Sequence, residues 1–446
     1  MPYILNTPDD QKAMLDVIGV KSIEDLFDDI PADLKLAGKL RLPEALSEME
    51  VLKHLTALGR RNTSTQQAVS FLGGGCWDHF IPAAIDKIVM RSEFYTAYTP
   101  YQPEASQGLL QAFYEYQSLI CDLTAMDVSN ASMYDGASAL AEAVLMARSI
   151  NERATVLLPA TLHPEYRQVL DTYLRNSGMT IRTIPIKDGV CHSEDFVGAA
   201  GDQVSSVVVQ NPNFFGHIED VKAVAAAAHK LGALCIACVD PISLGLLLPP
   251  GECHADIVVG DGQPLGIPQS YGGPSFGFMA CHKNYVRKMP GRIIGRTVDV
   301  DHKPGFVLTL QTREQHIRRE KATSNICTNH ALNALRATVY LCLMGPEGIR
   351  EAADLCLQKS HYARDRIAEV DGFEPAFSAP FFKEFVIRCP VDAEKVCDAL
   401  LPKGILAGLP LGRFDAGMKN CLLVSVTEKR MKDEIDGLAK ALAEMK

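Results

Sequence analysis

The chain has 446 residues, 47% of them apolar and 22% charged, and a formal net charge of -10 at pH 7. A chain of that length buries a large core and suggests two or three domains, and the composition is ordinary for a globular protein. The acidic balance argues against a nucleic-acid partner, which asks for a basic face, and no run of about 18 uninterrupted apolar residues offers a membrane span.

The opening MPYILNTPDDQKAML lacks a basic stretch followed by an apolar core, so no secretory signal is expected and the location is read as cytoplasmic. The partners are then proteins or small molecules. Thirteen cysteines are scattered along the chain, often beside aliphatic residues. In the strand-like run LCIACVD, Cys235 and Cys238 fall on opposite faces, which reads as buried reduced thiols rather than a shared metal site. No metal is expected.

Three regions follow in chain order. Residues 1 to about 70 read as a helical arm without a convincing strand. Ser22 with Asp25 has the form of a capping box, and Pro43 suits the first turn of another helix. Residues 71–325 alternate. Helices are predicted from Pro103 to Thr124 and from Ser138 to about Ile150, then short β-rich runs (TVLLP, MTIRTIPI, SSVVVQ, LCIACVD, DIVVGD) are separated by further helical segments. Short apolar strands between helices predict a parallel-rich sheet covered on both faces, hence an α/β domain. Residues 326–446 begin with a long helix that passes through GPEGI into a second, and strand-like FFKEFVIRC and CLLVSVT with two more helices complete a compact α+β lobe.

A parallel sheet binds ligands beyond the carboxyl ends of its strands. Four such ends carry suggestive residues. Asp135-Gly136-Ala137-Ser138 precedes a helix, whose free N–H groups favour a phosphate. His163 follows TVLLPATL and offers a flat ring, Asn211-Pro212-Asn213 follows SSVVVQ, and Asp240 ends LCIACVD where a carboxylate could meet a pyridine nitrogen. Each has a plain alternative: a small-residue cap, a surface histidine before proline, or an ordinary turn. Taken together, in this order, they resemble the pyridoxal-phosphate (PLP) enzymes of the aspartate-aminotransferase fold, fold type I.

Longer segments carry a closer resemblance. PYILNTPDDQKAMLDVIGVKSIEDLFDDIP, FLGGGCWDHFIPAAI, SEFYTAYTPYQPEASQGLLQAFYEYQSLICDLTAMDVSNASMYDGASALAEA, PSFGFMACHKNYVRKMPGRIIG and QTREQHIRREKATSNICTNHAL are similar, over nearly the whole chain, to the first subunit of the split glycine-decarboxylating P-protein family. That resemblance implies a subunit of glycine dehydrogenase (decarboxylating). There glycine loses its carboxylate as CO2 on PLP and its aminomethyl group passes to lipoamide on the H-protein. In the split form the second subunit carries PLP, the first does not, and the two assemble as α2β2. The resemblance thus implies a PLP-bearing partner, the lipoylated H-protein and glycine as partners, and a chain inactive alone.

The sequence departs from a PLP binder at one point. PLP enzymes need a lysine to form a Schiff base with the cofactor aldehyde. Where the family's catalytic subunit has a His-Lys pair before Ile-Pro, this chain has Gly262-Gln263 before Ile267-Pro268, and an amide cannot form an imine. No covalent cofactor is expected, and Ser138, His163 and Asp240 are read as candidates for a vestigial pocket. Lys283 follows His282 and mimics the motif, but lies past the strand that should present the lysine.

Tyr95, Tyr98, Tyr101 and Gln102, in the proline-broken tract Phe94–Pro103, are candidates for donors lent to the partner's active site; equally, they pack the contact between chains. Arg318, Arg319 and Lys321, before Ala322-Thr323-Ser324-Asn325, meet an anion or form a solvated face. His79 reads as a structural histidine before a ligand-facing base. The competing functions are a purely structural or regulatory scaffold and a self-sufficient enzyme using Lys283.

Overall fold

A computed structural model describes the chain except residues 1–4, 37, 39, 96–97, 200, 202, 323, 327–328 and 446. It divides into two compact units, residues 1–63 and 64–446.

The first unit holds helices Pro8–Ile18 and Glu48–Gly59 and a 3-10 turn Glu24–Phe27. Thr7 with Asp10 and Ser47 with Glu50 cap the helices reciprocally, and Gly19 ends the first at φ +86°. The Ser22–Asp25 pair forms as expected, Ser22 N–H donating to Asp25 at 2.9 Å. Pro43 does not start a helix: the second one begins at Glu48, because Ser47 supplies the cap that Pro43 cannot. Neither helix buries a residue.

The second unit is organised by a seven-stranded sheet. Its order is Val128–Ser129, Gly277–Cys281, Ile257–Asp261, Leu234–Val239, Val204–Asn211, Thr155–Pro159, Thr180–Ile184. The last five run parallel. The chain between Asp261 and Gly277 carries only a 3-10 turn, Ser270–Gly272, too short for a crossover, so Gly277–Cys281 returns antiparallel. Adjacent strand residues divide between two cores: Val207, Cys235 and Val258 in one, Val208, Ile236 and Val259 in the other. Both faces are therefore covered, and Cys235 and Cys238 lie on opposite sides as read. The fold is α/β, a parallel-rich sheet covered on both faces, as expected. No described helix is long and apolar enough to cross a membrane.

Residues beyond 331 build a second, antiparallel sheet: Glu374–Pro375, Glu384–Arg388, Cys421–Ser425, Leu409–Pro410. Helix Ala331–Ala368 packs nearby, kinked at Gly345 (φ +61°) just before Pro346, as GPEGI suggested. Val69–Ser70 pairs with Ile405–Leu406, and Phe71 is buried in this sheet's core. The chain then passes through Gly73–Trp77 towards the large sheet.

The two sheets meet at Gly216. Its carbonyl accepts from Phe382 N–H at 3.0 Å, its φ is +87°, and a Cβ there would stand 1.9 Å from the Glu384 carbonyl oxygen. Gly216→Ala should cost about 2–4 kcal/mol through left-handed strain and overlap with backbone that cannot yield. The check is the urea midpoint; an unchanged midpoint would mean the junction is soft.

Candidate functional site

The carboxyl ends of the parallel strands converge on a cavity bordered by Gly75, His163, Asp240, Asp261 and Lys383. It holds about 30 Å³, room for two or so water molecules. Each group that could hold PLP is already engaged by this chain.

Asp240 is 8% exposed, and one carboxylate oxygen accepts from Ile242 N–H at 3.1 Å. Its other oxygen lies 2.8 Å from Lys383 Nζ, an ion pair by distance although off the ideal hydrogen-bond angle. Lys383 immediately precedes strand Glu384–Arg388 of the second sheet, is 2% exposed, and also sits 3.7 Å above the Trp77 ring and 2.9 Å from His79 Nε2. A cation supplied from within thus occupies the place opposite Asp240 where a protonated pyridine nitrogen would come.

The flat face is closed as well. His163 Nε2 donates to the Gly74 carbonyl at 2.6 Å while Nδ1 accepts from Glu165 N–H at 3.1 Å, which fixes the neutral ring; burial lowers its pKa in the same sense. Phe214 meets it edge-on at 4.9 Å and Tyr166 lies 5.0 Å away. At the helix start, Ser138 N–H goes to Asp135 (2.7 Å) and Gly136 N–H to Asp261 (3.0 Å). Asp261 also accepts from Gln263 N–H at 2.9 Å and from the Ser275 hydroxyl, and burial pushes its pKa up. A carboxylate of this chain therefore sits where a phosphate would.

Gln263, 3% exposed, spends its whole amide on backbone. It accepts from Trp77 N–H (2.9 Å) and donates to the carbonyls of Trp77 (3.0 Å) and Ile267 (2.8 Å). It latches the Gly73–Trp77 loop over the cavity. These residues do not fit PLP: the amine is missing, the ring position is walled by His163 and Gly74, and the anion and pyridine positions are filled by Asp261 and Lys383.

His79 is a buried link. Lys383 donates to Nε2, so the ring proton is on Nδ1 and goes to Glu428 at 2.7 Å. Burial would raise the Glu428 carboxyl, but the His79 imidazole and Phe80 N–H (2.6 Å) outweigh it and hold the pKa at about 2. His79, Glu428 and Cys356 lie close enough to share a metal ion, yet Nδ1 carries the proton a metal would need removed and burial raises the Cys356 thiol well above its ordinary value.

Other sequence candidates lie elsewhere. Tyr95, Tyr98 and Tyr101 are 58%, 78% and 47% exposed, Gln102 is exposed too, and none borders the cavity. Thr96 and Ala97 lie outside the described residues, as does Thr323 of the Ala322–Asn325 stretch; Arg318, Arg319 and Lys321 are exposed. Asn213 supports its loop, donating to Glu219 at 2.7 Å. Lys283 is exposed beyond Cys281, which pairs with Ile257, so it stands at the amino end of the parallel strands, away from the cavity. Sequence reasoning missed Lys383, Asp261 and Trp77. A lysine amid the apolar run FFKEFVIRC was the one available signal.

Lys383→Met should cost about 3–5 kcal/mol by leaving Asp240 buried and unpaired, while the double variant with Asp240→Asn should recover at least about 2 of it. Additive losses in a urea double-mutant cycle would refute the pairing. Glu428 is depressed from 4.5 to about 2, so its contribution is whole above pH 4.5 and fades as pH falls towards 2. Glu428→Gln should flatten that part of the stability–pH curve.

Residues 1–442 match the family described as Glycine cleavage system P-protein. A relative from Chlorobium limicola, named probable glycine dehydrogenase (decarboxylating) subunit 1, is 54% identical over 444 residues, 99% of this chain and 100% of its own. One of the same name from Desulforamulus reducens is 52% identical over 442 residues, 99% of each chain. A crystal structure described as glycine decarboxylase (P-protein) of the glycine cleavage system, in inhibitor-bound form, superposes with a TM-score of 0.92 at 45% identity over 100% of both chains. A Burkholderia pseudomallei sphingosine-1-phosphate lyase, at 13% identity and TM-score 0.66 over 93% of this chain and 94% of its own, shares the fold alone. With full-length relatives at half identity and a match running from residue 1 to 442, the chain belongs to the glycine cleavage system P-protein family, beside members named subunit 1.

Proposed function

We propose that this chain is the accessory subunit of a two-chain glycine decarboxylase: the partner subunit holds PLP, and this chain completes or supports the partner's active site. The complex releases CO2 from glycine and passes the aminomethyl group to lipoamide of the H-protein, and this chain alone is inactive. The observation that carries the reading is the self-filled pocket, with Gln263 at the lysine position and Lys383 against Asp240. A family member so closed contributes through its surface.

Two surface features support that role. The tyrosines of the Phe94–Pro103 tract stand exposed on proline-restricted backbone, three phenols ordered at small entropic cost. The helices of the first unit bury none of their apolar side chains, Leu52 remaining 68% exposed and Leu55 57%, as expected of an arm that packs on another chain.

Co-expression with the PLP-bearing subunit and assay of glycine–bicarbonate exchange tests the reading. The pair should be active and each chain alone silent. In the intact complex, Tyr95→Phe or Tyr98→Phe should lower turnover by about 10- to 1,000-fold, the range for loss of one positioned donor. Unchanged turnover in both variants would leave only the scaffold function. Full activity of the partner alone would overturn the proposal, and borohydride-stable pyridoxal on Lys283 of the isolated chain would replace it.

A further inference from the structure

Arg292 is 8% exposed and its Nε has no hydrogen-bond partner. Its contacts are the Tyr101 hydroxyl, which accepts from Nη2 at 3.3 Å, and the Tyr101 ring, whose centroid lies 5.5 Å away. No carboxylate among the described residues pairs with it. A buried guanidinium normally has an acid or several carbonyls on its fork, because leaving the charge unmatched costs several kcal/mol. A long bond to a phenol is a poor substitute.

Arg313 donates to the carbonyls of Leu310 (3.0 Å) and of Gly291 (3.1 Å), the residue before Arg292, and has the buried Glu314 carboxylate beside it. The Arg292 carbonyl accepts from Ala131 N–H at 2.8 Å, and the hydroxyl of Ser132, next along, is buried without a partner. So is the hydroxyl of Thr99, in the tight turn that Tyr101 N–H closes onto the Thr99 carbonyl at 2.9 Å. In a chain of net charge -10, Arg292 thus stands as a buried guanidinium with no ion pair to a carboxylate among the described residues and with one N–H unpartnered. That composition is complementary to an oxyanion.

We propose that Arg292, roofed by Tyr101, is a binding site for a small oxyanion, a carboxylate or a phosphate presented from outside this chain. The roof is the half-exposed ring of Tyr101, so the anion enters past that ring. The inference rests on the accessory-subunit reading and deepens it. Two sources share the chemistry: the carboxylate of glycine and the phosphate of PLP held by the partner. Tyr101 turns its hydroxyl from the guanidinium to the anion, and Arg292 offers the two-pronged donation that fits either group.

The test uses the assembled complex with Arg292→Gln and Arg292→Lys. The glutamine variant should raise either the KM for glycine or the Kd for PLP by about 10- to 100-fold, the effect of losing a hydrogen bond to a charged group. The lysine variant, keeping charge without the fork, should lose less. A rise in KM identifies the carboxylate, and a rise in Kd the phosphate. The free chain gives a second readout. Since the unmatched charge is a burden without its anion, Arg292→Gln should melt no lower than wild type. A merely structural arginine gives the reverse, both constants unmoved and a lower melting temperature, and that result would overturn the site. If the glutamine variant fails to assemble, the lysine variant and Tyr101→Phe carry the same two measurements. Unmoved constants alongside damaging Tyr95 or Tyr98 variants would remove only the anion site, whereas silence in all of them would remove the accessory reading too.

Discussion

The ion pair between Lys383 and Asp240 is the constraint around which the larger unit is arranged. Asp240 follows a central parallel strand, and Lys383 precedes an inner strand of the other sheet, so their 2.8 Å contact joins the two sheets at a buried point. Neither charge is tolerable there without the other. The orientation of the second sheet, the path of the loop carrying Trp77 and the closure of the cavity all follow from satisfying that pair. Trp77 covers the ammonium, His79 accepts from it, and Glu428 anchors His79 in turn.

This arrangement explains why a missing lysine need not leave a weakened protein. Replacing a catalytic lysine by glutamine alone would leave an apolar-walled hole, an unpaired aspartate and idle N–H groups at a helix start, each costly. Here every one of those debts is met by a side chain from the same polypeptide. Gln263 binds three backbone groups, Lys383 neutralises Asp240, and Asp261 caps Gly136. The polar groups that a cofactor would ask for are thus largely engaged within the chain.

Much of the fold was legible because the signals were local. Continuous apolar runs bounded by turns placed the strands Thr155–Pro159, Val204–Asn211, Leu234–Val239 and Ile257–Asp261 within a residue or two. The kink at Gly345 followed from Gly-Pro chemistry. The hairpin Ile293–Val298 with Pro304–Thr309 went unread because most of its residues are at least partly exposed and carry no alternating apolar face. Pro43 misled because proline is compatible with a helix start without specifying one. Asp240 and His163 border the cavity, as strand ends located from sequence would place them, whereas Lys383 could not be read: its partner lies far away in sequence and only the fold brings them together. Arg292 was likewise silent, as nothing local distinguishes a paired arginine from an unmatched one.

A pocket closed from within also redirects where chemistry can occur. Away from the cavity, the Thr99 hydroxyl, in a turn flanked by Pro100 and Pro103, and the Arg292 Nε are buried without hydrogen-bond partners. Buried polar groups without partners are rare and costly, so each one asks for a physical account. For Arg292, held by a long bond to the Tyr101 hydroxyl and the face of its ring, completion by an anion from another molecule is the account we propose.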